Sequence, residues 1–270
     1  MQANFFGSSR PSGLLMPPWT KAITMTATAT VYSPFGFAVA ADGRQRWENF
    51  ATRDEFIRQS ESEHAQKVFR FTSASSTLAY FIRGHIANRD RSFDVGIELQ
   101  QLLPSMAKGE SRDANDLATG ISSHLDRYVK TAMHEQRIET YPQIFIDLLG
   151  YIDHQPAWVE IQFFPVSRHQ KGPLYEIQHR SIWPGLSIVT GSLVIRDLIV
   201  ANHPMFSRFC GPFDYRKSID QAASFVQGYI EACCSPEALE FDRECEMFGG
   251  HIHVATITPQ EGFRWVVAPI

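Results

Sequence analysis

Several short segments alternate polar and apolar residues, or run through apolar and small residues alone, and both patterns predict β-strands. The first two segments are separated by the turn Ser33-Pro34-Phe35-Gly36, which favours a tight hairpin. In the N-terminal third the predicted strands lie near residues 26–32, 36–42, 67–72 and 77–82. The segment Thr52–Gln66 is mostly polar, and we predict that it is an inserted loop or a short helix.

Other segments carry apolar residues at the spacing of one helix face. Leu117, Ile121 and Leu125 show this spacing most clearly. Four helices are predicted, near Phe93–Met106 (where Pro104 limits the regular part), Ala114–Met133, Leu193–Ile199 and Arg216–Cys233.

Strand patterns return on either side of the last two predicted helices. These strands lie near Gln143–Tyr151, Trp158–Phe164, Leu174–Arg180, His251–Ile257 and Phe263–Val267, and Asp153-His154-Gln155-Pro156 forms the turn between the first two. The chain order is therefore strands, two helices, strands, two helices, strands. This order predicts an α+β protein in which helices cover two packed antiparallel sheets.

The candidate chemistry lies at the start of the first predicted strand, where Thr26 follows Met25. A break in the peptide bond before Thr26 would place a hydroxyl and a free α-amine on one residue. Such an amine can act as the general base for its own hydroxyl. Its pKa of roughly 7.7–8.0 leaves a useful neutral fraction at physiological pH.

Two charged residues are candidates to support a nucleophile at Thr26. The first hairpin returns Asp42 to the start of its own first strand, and Lys67 opens the third strand. A lysine ammonium lowers the pKa of a neighbouring amine and hydroxyl, and it needs a carboxylate partner to stay charged when half buried. We therefore expect Lys67 to lie within hydrogen-bonding reach of Asp42 and near the Thr26 hydroxyl.

In order and spacing, these residues resemble the proteasome β-subunit family of N-terminal nucleophile (Ntn) hydrolases, over roughly residues 25–268. Thr26 and Asp42 have the family's spacing, Gly36 falls on its turn glycine, and Ala40-Ala41-Asp42-Gly43-Arg44 is similar to its Ala-Ala-Asp-Ser-Arg motif. Lys67 matches the family lysine after an insertion of about nine residues. The segments Leu186–Ser192 and Phe248–Val254 resemble the family's Gly-Ser-Gly-Ser and Ser-Gly-Gly segments.

The resemblance implies a four-layer αββα sandwich and an N-terminal threonine hydrolase that cleaves a peptide or small amide. Thr26 would be the nucleophile, Lys67 would lower its pKa, and Asp42 would anchor Lys67. The Gly84 N–H would form the oxyanion hole, and Thr190 would stand for a supporting serine. The resemblance also implies a homo-oligomer, for which a ring is one arrangement, and it implies neither a cofactor nor a metal.

Two positions depart from the family pattern. Phe248 replaces a serine and Cys245 replaces an aspartate, both of which help to hold the threonine amine in the family; Asp242, Glu244 or Glu246 could approach instead. Two alternatives therefore stay open. The fold could serve as a non-catalytic assembly or binding subunit, or as a small-molecule amidohydrolase.

Residues 1–24 read as an extension separate from a domain at 25–270. The extension could be a propeptide removed by self-cleavage, a stretch upstream of a true start at Met25, or a retained tail, and the sequence leaves all three open.

Composition narrows the remaining function classes. The net charge is −4 with interspersed charges, so no basic surface for nucleic acid is expected. No apolar run reaches membrane-spanning length, so no membrane span is expected. The four cysteines lack metal-type spacing and indicate a reduced, cytoplasmic protein.

His251 and His253 could share a strand face with His64 or His154, but two histidines make an incomplete metal site, and a partly exposed strand face is favoured.

Overall fold

The computed structural model describes residues 26–49, 57–84, 87–88, 91–107, 113–138, 141–164, 174–209, 214 and 217–270. The predicted extension at 1–24, Met25 and Cys210 therefore lie outside the described residues. The described segments contain four α-helices and twelve strands in the predicted order of strands, helix pair, strands, helix pair, strands. None of these helices is long and apolar enough to cross a membrane.

The strands of the N-terminal third are β1 (Thr28–Ser33), β2 (Gly36–Ala41), β3 (Gln45–Asn49), β4 (Ile57–Ser62), β5 (Val68–Thr72) and β6 (Ser76–Gly84). The later strands are β7 (Ile144–Ile152), β8 (Gln155–Phe163), β9 (Tyr175–His179), β10 (Ser187–Thr190), β11 (His253–Thr258) and β12 (Gly262–Val267). The helices are α1 (Val95–Ala107), α2 (Ala114–His134), α3 (Leu193–Val200) and α4 (Ile219–Cys233), and short 3₁₀ turns follow at Pro236–Glu240 and Arg243–Met247.

Ten of these strands form two antiparallel five-stranded sheets in the described part of the chain. Sheet I has the order β10-β1-β2-β11-β12, and sheet II has the order β5-β6-β7-β8-β9. Most strands pair with a neighbour in sequence, to which a short connection joins them. Strands β2 and β11, by contrast, pair although they are far apart in the chain.

Three buried clusters show how the layers stack. One cluster joins sheet II to α1 and α2 through residues such as Leu99 and Ile121. A second joins sheet I to α3 and α4, and a third, which includes Phe37 and Trp158, fills the space between the sheets. The predicted α+β class, with a four-layer αββα sandwich, is thereby confirmed.

Strand β2 lies at the centre of sheet I and is buried on both faces. Its alanines Ala38 and Ala40 pack toward α4, where small side chains let the helix approach. Phe37 and Val39 alternate with them and pack into the space between the sheets. Asp42, which directly follows this strand, therefore lies in the protein interior.

Three segments differ from the sequence prediction. The polar segment predicted as a loop or short helix contains β4, which pairs with β3 as a separate two-stranded sheet. This strand was not predicted because its residues are mostly polar and show no apolar pattern. The turn between β7 and β8 is confined to Asp153 and His154, both with positive φ, and β8 begins at Gln155. Strand β10 was not predicted because it spans only four residues.

Helix boundaries shift by a few residues from their predicted positions. Helix α1 begins at Val95 rather than Phe93, because Asp94 accepts the Ile97 backbone N–H. Pro104 does not end this helix, which continues to Ala107. Ser192 caps α3, since its hydroxyl accepts the Ile195 N–H.

Gly36 provides a test of the turn that sets the register of β1 and β2. Its φ is +141°, and a β-carbon there would lie 2.3 Å from the Ile257 carbonyl oxygen. We expect Gly36→Ala to lower the free energy of unfolding by more than about 2 kcal/mol, measured by urea denaturation. Gly96→Ala in α1 is the matched control and should change it by less than about 1 kcal/mol. Equal effects of the two substitutions would contradict this account of the turn.

Candidate active site

An ion pair between Asp42 and Lys67 lies at one end of the two sheets. The Lys67 Nζ atom is 2.8 Å from Oδ1 of Asp42, and both side chains are almost fully buried. Asp42 follows β2 of sheet I, and Lys67 precedes β5 of sheet II. The predicted contact between these two residues is therefore present, and it joins the sheets at this end.

The Asp42 carboxylate also accepts hydrogen bonds from the backbone. Its Oδ1 atom accepts from the Ala27 N–H at 3.0 Å, and its Oδ2 atom accepts from the Gly249 N–H at 3.2 Å. Burial raises the pKa of the Asp42 carboxyl, against the opposing pull of the Lys67 ammonium and the two N–H groups. Since one oxygen contacts both Lys67 and Ala27, the ammonium lies beside the peptide group that joins Thr26 to Ala27.

Arg44 holds the segment that carries Gly249. Its guanidinium pairs with Glu63 through Nε at 3.0 Å and donates from Nη1 to the Phe248 carbonyl at 2.7 Å. The Gly43 and Arg44 N–H groups both bond to the Gly249 carbonyl. The arginine of the Ala-Ala-Asp-Gly-Arg motif thus fixes the backbone donor that Asp42 uses.

Thr26 is partly exposed and precedes β1 by two residues. The Thr190 hydroxyl donates to the Thr26 carbonyl oxygen at 3.2 Å and accepts from the Thr28 N–H at 3.1 Å. The Thr28 and Thr190 hydroxyl oxygens are 2.7 Å apart. A hydroxyl has one proton, and that of Thr190 goes to Thr26, so Thr28 is the donor within this pair.

This arrangement places the predicted supporting residue next to Thr26, but in contact with its carbonyl group. Thr190 uses its proton and both acceptor positions in these three bonds. It therefore orients Thr26 through the backbone. Tyr229 steadies the segment in turn, because its hydroxyl lies 3.3 Å from the Thr190 carbonyl and 3.1 Å from that of Ser192.

The two departures from the family pattern are both buried. Phe248 and Cys245 belong to the cluster that packs Ala27 and sheet I against α4. Burial raises the pKa of the Cys245 thiol to about 12, so it is protonated and cannot replace the charge of an aspartate. Among the nearby acids suggested by the sequence, Asp242 bonds to the Ser192 hydroxyl at 2.6 Å and caps a 3₁₀ turn.

Gly84 ends β6 at the same end of sheet II as Lys67, since Phe81 pairs with Val68. Its φ is +96°, and a β-carbon there would lie 2.2 Å from the Gln143 carbonyl oxygen, so only glycine fits. Its position is compatible with the predicted oxyanion role, which stays a prediction, as do the catalytic roles of Thr26, Asp42, Lys67 and Thr190.

His253 lies beside Lys67 in the interior, whereas the sequence favoured a partly exposed strand face for it over a metal-binding role. Its Nε2 atom accepts the Lys67 backbone N–H at 3.1 Å, and its ring is fully buried. His251 bonds to the Ala268 carbonyl, and His154 lies in the β7–β8 turn at the opposite end of sheet II. No group of three potential metal ligands converges among the residues that the structure describes.

The cysteines Cys233, Cys234 and Cys245 are free thiols. Cys234 is half buried at the C-terminal end of α4, and the charges of Asp42 and Lys67 act electrostatically on its thiol. Burial raises the pKa of its thiol, and the Asp42 charge raises it further. A thiol that stays protonated is a poor nucleophile, so Cys234 is not a candidate for that role.

Comparisons with known proteins identify the fold. No protein-family model and no curated protein matches the sequence. Among solved structures, Anbu (ancestral beta-subunit) from Yersinia bercovieri is similar with a TM-score of 0.52 and 14% identity, covering 90% of this chain and 86% of that chain. The Anbu (Gly-1) mutant from Hyphomicrobium sp. strain MC1 gives a TM-score of 0.51 and 11% identity, covering 90% and 87%. The chain has a proteasome-like fold.

The buried ion pair can be tested without any substrate. Asp42→Asn leaves the Lys67 ammonium buried without its counter-charge, so we expect the free energy of unfolding to fall by about 3–5 kcal/mol. Adding Lys67→Met should recover part of this loss, because the second change removes the unpaired charge. Chemical denaturation of both single variants and the double variant measures the coupling.

A surface pair supplies the control for this cycle. Lys130 pairs with Asp126 across one turn of α2 and is about half exposed. Lys130→Met should cost less than about 1 kcal/mol, because water screens an exposed pair. Strict additivity of the Asp42 and Lys67 substitutions would show that the two groups do not stabilise each other.

Proposed function

We propose that the protein is an N-terminal threonine hydrolase that cleaves an amide or peptide bond once Thr26 becomes the first residue. The observation that carries this proposal is the shared Asp42 oxygen, which contacts both the Lys67 ammonium and the Ala27 N–H. It fixes a buried cation beside the backbone of Thr26. The proteasome-like fold and the resemblance of the sequence to proteasome β-subunits support the same assignment.

The proposed reaction begins when the Thr26 hydroxyl attacks the substrate carbonyl. The Thr26 α-amine takes the hydroxyl proton, directly or through water, and returns it to the leaving amine. Water then hydrolyses the acyl-enzyme, and the amine again serves as the base. Thr26 therefore supplies the nucleophile of the first step and the proton-transfer group of both steps.

The surrounding groups tune this residue electrostatically. The Lys67 ammonium lowers the pKa of the Thr26 amine and hydroxyl, because it disfavours a second positive charge and favours an alkoxide. Asp42 keeps Lys67 charged in a site with little water. Gly84 is the proposed backbone donor to the tetrahedral oxyanion, where a well-placed donor is worth about 3–4 kcal/mol.

Thr190 contributes differently from the family's serine in this proposal. Its hydroxyl holds the Thr26 carbonyl, so the amine is oriented through the backbone rather than by a side-chain hydrogen bond. Phe248 and Cys245 supply no strong polar partner for the amine. We therefore propose weaker activity than in a proteasome β-subunit, directed at small or unusual amides, because alignment limits the rate.

The nucleophile assignment predicts a strict dependence on Thr26. Intact-mass analysis should show a chain that begins at Thr26 in the active protein. Thr26→Ala should abolish hydrolysis in a screen of fluorogenic peptide and small amide substrates, since it removes the hydroxyl and keeps the amine. Thr26→Ser is the matched control and should retain measurable turnover. Unchanged turnover in Thr26→Ala would refute the assignment.

A non-catalytic assembly or binding subunit is the second candidate. The buried Phe248 and Cys245 favour it, since they leave a mostly apolar wall next to Ala27. The two candidates differ in the mature N-terminus. A protein that retains the residues before Thr26 and shows no turnover across the screen would support the assembly subunit.

We also propose that the protein acts as a homo-oligomer that buries helix α3. Three large apolar side chains are exposed within its eight residues: Leu193 at 53%, Val194 at 44% and Val200 at 75%. Such clustering marks an interaction surface more than isolated exposed residues do. Sedimentation analysis of Leu193→Lys/Val200→Lys should show dissociation by at least one assembly step.

The control for the oligomer is Ile97→Lys, which changes a single exposed apolar residue on α1. It should leave the sedimentation coefficient unchanged. A wild-type protein that sediments as a monomer at micromolar concentrations would contradict the proposal.

A further inference from the structure

Lys67 is bound to sheet I by its backbone as well as by its side chain. Its Nζ atom contacts Asp42, which follows β2, while its N–H donates to Nε2 of His253, the first residue of β11. Lys67 itself directly precedes β5 of sheet II. Two contacts with sheet I therefore hold this lysine, one at its backbone N–H and one at its ammonium group.

The hydrogen bond fixes the protonation state of His253. An imidazole nitrogen that accepts an N–H carries no proton, so the neutral ring has its proton on Nδ1. Burial lowers the pKa of His253 to about 4, and the nearby Lys67 and His251 lower it as well. Within the described residues, its Nδ1 atom contacts no hydrogen-bond donor that would favour the opposite tautomer.

The surroundings of His253 are cationic or neutral on most sides. Lys67 faces it from the segment before β5, and His251 lies 6.0 Å away between ring centres. The Trp265 ring of β12 packs at 6.5 Å, edge to face. On β2 its partner is Ala41, and Asp42 comes next with its carboxylate already bound to Lys67. An added proton on His253 therefore meets a second positive charge and finds no unshared carboxylate.

We propose that His253 is a positioning residue whose neutral imidazole holds the Lys67 backbone, so that the Lys67 ammonium reaches Asp42 and the Thr26 peptide. His253 acts through Lys67 and does not touch the substrate. Its effect on catalysis rests on the proposed function, whereas its effect on Lys67 does not. When His253 takes up a proton, both ring nitrogens become donors, and the Lys67 N–H loses its acceptor.

Two substitutions separate the acceptor from the bulk of the ring. His253→Gln can place a carbonyl oxygen near the position of Nε2, whereas His253→Leu fills similar space without an acceptor. His251→Gln is the control, because His251 bonds to the Ala268 carbonyl and does not touch Lys67 in this way. Circular dichroism and thermal melting establish that each variant is folded before it is compared.

The first measurement is amide hydrogen exchange followed by NMR, which needs no substrate. We expect the Lys67 amide to exchange at least about 10-fold faster in His253→Leu, relative to the amides of β7 in the same protein, because its acceptor is gone. His253→Gln and His251→Gln should stay close to wild type. Unchanged relative exchange in His253→Leu would overturn the proposal, as would imidazole nitrogen shifts that place the proton on Nε2 at pH 7.

The second measurement is the pH dependence of unfolding. The folded pKa of about 4 lies below the ordinary value of roughly 6.5, so the unfolded chain takes up the proton first as the pH falls. From pH 7 to pH 4 the unfolding equilibrium constant of the wild type should rise by roughly 100-fold more than that of His253→Gln. Parallel curves for the two proteins would contradict a buried neutral His253.

The third measurement separates this proposal from the proposed function. If the protein hydrolyses amides, His253→Leu should lower kcat at least about 10-fold with little change in KM, and His253→Gln should restore part of it. A wild type without hydrolytic activity would refute the proposed function only, because the exchange and unfolding measurements still test the hold on Lys67. A His253→Leu enzyme with normal kcat would overturn the catalytic part of the inference.

Discussion

The buried contact between Asp42 and Lys67 is the constraint on which the rest of this end of the molecule depends. Moving two charges out of water is costly, and their mutual attraction compensates only when the remaining polar atoms also find partners. Here Ala27 and Gly249 provide those partners through their N–H groups. The strand ends, the glycine segment and the approach to β5 are therefore arranged around one carboxylate. Away from this end, the space between the sheets is filled largely by apolar side chains, whose packing depends less on the geometry of single contacts.

Much of this framework follows from the order of residues along the chain. Alternation and turn chemistry predict β1 and β2, and the length of that hairpin is enough to bring Asp42 back beside Thr26. The contact with Lys67 is predicted because a buried cation needs an anion and because Lys67 opens the third predicted strand. The hairpin of β3 and β4 escapes such reasoning. Its residues are largely polar and it forms a separate small sheet, so no apolar face marks it in the sequence.

The hydrogen bonds of the site depend on which atoms come into contact, and the hydrophobic periodicity of a sequence does not determine those contacts. Thr28 lies two residues after Thr26, so strand alternation could have drawn attention to it, but the direction of its proton depends on Thr190. His253 was visible only as half of a histidine pair. Its role as an acceptor depends on the close approach of two sheets, which becomes apparent only when their packing is known.

The long reach of these contacts has a consequence for synthesis of the protein. Lys67 and His253 are separated by 186 positions, and Asp42 and Gly249 by 207. A ribosome must therefore extend the chain far beyond Lys67 before Gly249 and His253, the later partners of Asp42 and Lys67, exist. Until β11 has emerged and paired with β2, Asp42 and Lys67 can meet each other but lack the Gly249 and His253 contacts that hold them in place. The polar contacts around Asp42 and Lys67 are therefore complete only late in synthesis, after β11 has paired with β2.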